Sequence, residues 1–261
     1  MTDAGAGARA PGPVAPADYL LRLADDRLVL GHRLSEWCGH APILEEDIAL
    51  ANIALDLIGQ ATALLELAAV REGRGRSADD LAYFRDAREY RNLQLCELPN
   101  GDFAVTIARQ FLFDAYGHAL LDALQRSVDE ELAGIAAKAL KECRYHRRHS
   151  AEWMVKLGDG TAESHARAQA ALDELWRFTG ELFLVDDLDH AMAAAGVAPD
   201  PASLRDGWLR QVTDVLQAAT LTLPDDRAVA RGGRQGLHTE HLGHMLAEMQ
   251  SVARAHPGVE W

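Results

Sequence analysis

The stretch from Lys138 to Trp153, KALKECRYHRRHSAEW, comes closest to declaring a chemistry. At helical spacing Glu142 and His146 lie four apart, on one face with Ile135, Ala139 and Trp153. A carboxylate and an imidazole in an apolar stripe are costly to bury without a partner, and in a helix bundle a metal ion is one such partner. A second stretch repeats the theme. Phe103, Ile107, Phe111, Asp114, His118 and Leu121 share a stripe, which aims Asp114 and His118 at the same interior. Inward Asp, His, Glu and His on neighbouring helices point to the di-iron bundle plan, with one Glu from each of two helices and a Glu-x-x-His from each of the others.

The sequence does not complete that plan. No Glu-x-x-His occurs in it; the nearest form is Glu142-x-x-Tyr145, with His146 one place late. The preceding long helix offers Asp56-x-x-Gly59 on its polar arc, out of reach of a core metal, and the first helix only Asp26 at the edge of its stripe. Two irons require about four carboxylates and two histidines, and at most half of these are positioned. Asp114, His118, Glu142, Tyr145 and His146 are therefore read as a buried hydrogen-bonded network with no metal, the remains of a site. Two rivals stand beside that reading: a catalytic metalloprotein using Asp114, Glu142 and His146 with His118 or Asp26, and a stand-alone helical binding protein.

Other groups carry less. His238, His241 and His244 recur every three residues but spread over about 120° of a helix, wider than one ion spans, and read as packing or surface residues. Asp187-x-x-His190 stands alone in a short helix. Arg71, Arg74, Arg76, Arg85, Arg88 and Arg91 form a basic zone, either a solvated loop or a landing place for a phosphorylated ligand, whose oxygens match arginine forks.

The elements that must position these residues are all helical. Residues 1–17, rich in Ala, Gly and Pro, have almost nothing to bury and read as a disordered tail. A single domain is expected over 18–261. Its first helix, 18–38, aligns Leu20, Leu23, Leu30, Leu34 and Trp37. The second, 43–71, carries two apolar seams, Ile48-Ala51-Leu55-Ile58-Leu65 and Leu50-Ala54-Leu57-Ala61-Leu64, and is expected to be buried on both flanks. A short helix near 78–84 and an irregular segment 85–101 precede the third long helix, 102–126, capped by Asp102. Ser127-x-x-Glu130 has the form of a capping box for the fourth, which ends at Gly158-Asp159-Gly160. Helices follow at 161–184, 186–195, 201–219 and 237–255. Four long helices joined in this way give an antiparallel four-helix bundle with additional C-terminal helices.

Composition narrows the class. Of the 261 residues 48% are hydrophobic and 25% charged, ordinary for a globular chain with a full core. The net charge of −14 argues against nucleic acid and anionic membrane as partners. No uninterrupted apolar run approaches the ~18 residues of a bilayer span, and no signal peptide is recognised. Three dispersed cysteines, Cys38, Cys96 and Cys143, fit free thiols in a reducing cytoplasm.

Several long runs carry a resemblance. Leu34–Pro42 (LSEWCGHAP), Ala49–Ala61 (ALANIALDLIGQA), Pro99–Phe103, Lys141–His146, Leu175–Thr179 and Gly236–Gly243, in this order, resemble the C-type structural component family of bacterial ring-1,2-phenylacetyl-CoA epoxidases over residues 19–261. The resemblance implies a ferritin-like fold and a non-catalytic structural subunit in aerobic phenylacetate catabolism. It implies a homologous di-iron catalytic partner, a small bridging subunit, and a reductase with FAD and a 2Fe-2S cluster; no cofactor is implied for this chain. It also places two segments, Glu89-Tyr90-Arg91-Asn92 and His190-Ala191-Met192, at the border of the CoA-substrate region. Asn92 matches the family in identity, whereas Glu89, Arg91 and His190 depart from it, so the correspondence there rests on backbone contacts.

Overall fold

The computed structural model describes residues 13–225 and 229–259, and no β-strand occurs among them. In chain order the α-helices are α1 (Ala17–Ser35), α2 (Leu44–Glu72), α3 (Ala78–Tyr83), α4 (Gln94–Glu97), α5 (Phe103–Leu124), α6 (Glu130–Gly158), α7 (Ala162–Thr179), α8 (Asp187–Ala194), α9 (Arg205–Ala218), α10 (Glu240–Met249) and α11 (Ser251–Ala255). The ferritin-like bundle consists of α1, α2, α5 and α6.

Cross-helix contacts fix its direction. Gly31 of α1 lies against Ala54 and Leu57 of α2 while Arg27 reaches Gln60, so these helices run antiparallel. Gly117 of α5 lies against Cys143 of α6 while Asp114 meets Ser150, giving a second antiparallel pair. The two hairpins close with α2 against α6, again antiparallel, through Gln60–Glu142 and Asp56–His146. Helices α7 and α9 cover the α5/α6 side, where Trp176 and Trp208 stack at 5.5 Å and Trp208 Nε1 donates to Leu112 O at 3.0 Å. The core is a single cluster running through the bundle and these covering helices.

Local chemistry sets the ends. Asp102 caps α5 by accepting from Val105 N at 3.0 Å. Gly73, with φ +68, stops α2 in the left-handed region where a Cβ would be strained. The capping box expected at Ser127 and Glu130 does not form: Asp129 is the N-cap, and Ser127 Oγ donates to Val197 O. Asp129 is recruited because it also receives Arg71 Nη1 at 2.6 Å and the backbone N–H of Ala15 at 2.8 Å. That last contact corrects part of the expected tail. Residues 1–12 lie outside the described residues, but Ala15 is fully buried and Ala17 begins α1.

Helix α2 departs most from expectation. Its Leu50-Ala54-Leu57-Ala61-Leu64 seam is buried against α1, but the second seam is covered only in part: Leu65 is buried, whereas Leu55 is 66% and Ile48 54% exposed. By length and composition α2 is also apolar enough to cross a bilayer, contrary to the expectation from its sequence, because its charges lie near the two ends apart from Asp56.

Candidate functional site

Two polar regions stand out, one inside the bundle and one where α1 meets the irregular segments.

Inside the bundle, Arg27 of α1 is 3% exposed; its Nη1 donates to Leu23 O at 2.8 Å and its Nε to Gln60 Oε1 at 3.0 Å. Gln60 passes the chain on, donating through Nε2 to Glu142 Oε2 at 2.9 Å. His146, buried at 1% exposure, pairs through Nε2 with Asp56 Oδ2 at 2.9 Å, and His149 with Glu46 at 2.8 Å. Asp114 faces elsewhere, accepting from Gln110 Nε2 at 2.7 Å and Ser150 Oγ at 2.8 Å. Burial pushes the Asp114 carboxyl up to about 6, although His146, Ser150 and Gln110 pull it back.

This arrangement corrects the expected single network of Asp114, His118, Glu142, Tyr145 and His146. Tyr145 is 60% exposed and lies under the Arg148 guanidinium instead. His118 is half-buried, and burial together with Arg147 lowers its pKa. Glu142 and His146 do share a helix face, but each is satisfied from α2, by Gln60 and by Asp56. Asp56, expected on an arc out of reach, faces α6, because residues 56 and 60 of α2 lie one turn apart on the flank that meets that helix.

The donor set does not fit the di-iron centre that the fold plan calls for. Asp26 is engaged by Arg234, Asp114 by Gln110 and Ser150, and Glu142 by Gln60. A buried guanidinium, Arg27, stands among them and repels further cations. Among the described residues no group of three or more His, Cys, Asp or Glu side chains is placed to hold a metal.

The second region is built on four buried carboxylates, Asp25, Asp26, Glu181 and Glu97. Asp25 pairs with Arg85 and accepts from Arg91 N at 2.8 Å. Asp26 takes Arg234 in a two-pronged pair, at 3.0 and 2.9 Å, and the N–H of Leu93 at 2.8 Å. Burial raises the Asp26 carboxyl while Arg234 lowers it, and the same pairing raises the Arg234 guanidinium. Glu181 accepts from Gly232 N, Gly233 N and Gln94 N, each at 2.8 Å. Gly233 is held so close that a Cβ would sit 2.1 Å from Asn92 O, so the C-terminal loop can lie on segment 89–94 only with glycine there. Glu97 completes the clasp, receiving Asn92 Nδ2 and pairing with His238 Nδ1, both at 2.8 Å. Burial alone would lower His238, but Glu97 overrides it and the ring's pKa is raised. His241 and His244, half-buried and exposed, join no such cluster.

Segment 89–92 is thereby set. Tyr90 and Asn92 are fully buried, and Tyr90 OH donates to Ala82 O. Glu89 caps the turn at Asp86, and Arg91 faces a cleft of about 370 Å3 that Arg74, Arg76 and Arg85 also line, with Glu72 and Glu89 among them. Segment 190–192 is held on the same helix α1, because Arg22 binds Asp186 and Asp189 at the start of α8, at 2.5 and 3.3 Å. His190 and Ala191 are exposed, and Met192 is buried.

Sequence reasoning passed over Asp25, Glu97, Glu181 and Arg27. Two adjacent acids flanked by Arg22 and Arg27 within the leucine-rich run of α1 were the available signal, since residues 25 and 26 cannot both face water when α1 is covered all round.

The comparisons agree with this architecture. Residues 11–261 match the family model described as phenylacetic acid catabolic protein. The chain is 53% identical over 243 residues, 93% of its length and 98% of the relative's, to the C component of the 1,2-phenylacetyl-CoA epoxidase of Escherichia coli (strain K12). A bundle whose polar interior is occupied by Arg27, joined to a clasp that spans the covering segments, is thus found in a chain that belongs to the phenylacetic acid catabolic protein family.

Proposed function

We propose that this chain is the C-type, non-catalytic structural subunit of a phenylacetyl-CoA 1,2-epoxidase. It packs against a homologous di-iron catalytic subunit, borders the CoA-substrate site through residues 89–92 and 190–192, and serves aerobic phenylacetate catabolism in the cytoplasm. A small bridging subunit and a reductase complete the assembly. The 53% identity over 93% of the chain carries the reading. The Arg27–Gln60–Glu142 chain supports the division of labour, since its polar groups are spent on one another. The arginine-lined cleft beside Glu89 and Arg91 supports the CoA border, because guanidinium groups match phosphate oxygens.

Co-expression with the catalytic subunit, followed by metal analysis of each separated chain, tests this. The expected result is a stable complex with iron confined to the catalytic chain; about two irons per copy of this chain, or no complex, would overturn it. Glu142→Gln sharpens the test. Glutamine keeps the acceptor for Gln60 Nε2, so ring epoxidation by the reconstituted complex should stay within about twofold of wild type, against the 100-fold or greater loss typical of a removed catalytic group. Lost turnover in an assembled complex would favour the catalytic-metalloprotein rival.

A further inference from the structure

Residues 90–93 belong to no helix, and charged side chains hold their backbone where a helical or sheet ladder otherwise would. Arg91 N donates to Asp25 and Leu93 N to Asp26, each at 2.8 Å. On the carbonyl side, Arg91 O accepts from Arg234 Nη1 at 2.7 Å, and Tyr90 O lies 3.1 Å from His238 Nε2. Arginine keeps its charge at any ordinary pH, whereas histidine loses its proton near neutrality. His238 is also caught between two groups that only accept. Its Nδ1 lies 2.8 Å from Glu97 Oε2, and the Glu97 carboxylate already receives Asn92 Nδ2 and the N–H of Thr239. Its Nε2 meets a backbone carbonyl. A neutral imidazole has one N–H and one lone pair, so only the imidazolium satisfies both contacts. The His238 side chain is 5% exposed and that of Glu97 is fully buried, which leaves little access for water to replace a missing donor.

We infer that the His238 imidazolium is a positioning residue for the thioester substrate: by donating to Tyr90 O it fixes the backbone of residues 89–92 at the border of the CoA site. The inference deepens the functional reading above and rests on it. The loop that carries His238 packs directly on the segment, with Gly233 against Asn92 O and Gly236 against Arg88 O. The charged groups of the elements around the ring are Glu97 of α4, Asp25 of α1 with its partner Arg85, Arg33 of α1 on Glu97 O, Arg91 beside Gly236, and Glu240 and His241 at the start of α10. Of these, Glu97 is the one that hydrogen-bonds the ring. Burial lowers the ring's pKa, but Glu97, Tyr90 O and Asp25 raise it by more. The double contact is therefore complete below about pH 6.5 and is lost as pH rises through the folded pKa. A neutral ring keeps its proton toward the Glu97 carboxylate, the stronger acceptor, and turns a lone pair on Tyr90 O. The carbonyl is then released, and the substrate border loosens while every reacting group stays in place.

The test compares the reconstituted wild-type complex with one carrying His238→Gln, whose uncharged amide donates from one end only. Steady-state ring epoxidation is measured at varied phenylacetyl-CoA from about pH 6 to about pH 9, with circular dichroism to confirm the fold at each pH. The ratio of variant to wild-type KM should be about tenfold at the acid end and fall towards one at the alkaline end, with kcat within about twofold throughout. Groups that titrate in the other subunits cancel in that ratio, and a purely structural role would not make it depend on pH. A ratio near one at every pH, or a constant tenfold, would overturn the positioning role and leave the functional reading standing. Nitrogen NMR of the full chain alone gives a second readout that needs neither the partner nor a folded variant. His238 should carry protons on both ring nitrogens at about pH 7, and a neutral ring there would overturn the inference. Failure of the wild-type chain to form a complex would overturn the functional reading and the inference with it.

Discussion

Arg234→Met is expected to destabilise the fold by about 4 kcal/mol, because it removes one partner of a buried ion pair and strands the other. Arg234 joins three parts of the chain at once: its Nη1 donates to Arg22 O at 3.2 Å, to Arg91 O at 2.7 Å and to Asp26 Oδ1 at 3.0 Å. Asp26 is 1% exposed, and without the guanidinium its remaining donor is Leu93 N–H. In a chain of this size the loss corresponds to a melting temperature lower by about 10 °C. It should also depend on pH. An uncompensated buried Asp26 has a folded pKa above its unfolded value, so the variant's stability is greatest in acid and falls as pH rises through that folded pKa. Asp26→Asn/Arg234→Met keeps an acceptor for Leu93 N–H without the charge and should recover about half of the loss and flatten the pH profile. Thermal melts from pH 4 to pH 8 on wild type and both variants decide it; an Arg234→Met chain melting within about 2 °C of wild type would refute the role of the pair.

The second large effect is a gain. The Asp114 carboxyl, pushed up from 3.8 to about 6 by burial, is protonated in the folded chain over a range where it is ionised in the unfolded one. Its sign follows directly: stability from this group is full below about pH 4, declines as pH rises through about 6, and is lost above. A rise from 3.8 to about 6 corresponds to about 3 kcal/mol at most. Asp114→Asn removes that dependence. The new amide accepts from Ser150 Oγ through its oxygen and, with Gln110 reoriented, donates to Gln110 Oε1, which has no donor in the wild-type chain. We expect the variant to be more stable than wild type by about 2 kcal/mol at pH 7.5 and nearly equal at pH 4. Urea unfolding at both pH values measures it. A variant less stable at pH 7.5 would mean that the ionised carboxylate is held by its neighbours, and Asp114 would return as a ligand candidate.

The local periods determined the long helices to within a few residues, because apolar side chains at three- and four-residue spacing mark a face whatever it packs against. Asp102 was legible as a cap for the same reason: the bond to Val105 N spans three residues. The runs that carry the family resemblance were legible too. Tertiary structure alone decided which side of α2 is covered. Its two seams are equally apolar, and only the approach of α1 chose Leu57 over Leu55. It also decided the partners of the α6 carboxylate and imidazole. Glu142 meets Gln60 and His146 meets Asp56 across helices more than 80 residues apart in sequence. The clasp of Asp25, Asp26, Glu97 and Glu181 was hidden for the same reason. A charge is spaced like any other residue, and whether it faces water or an arginine from the far end of the chain is settled only when the loops close over α1.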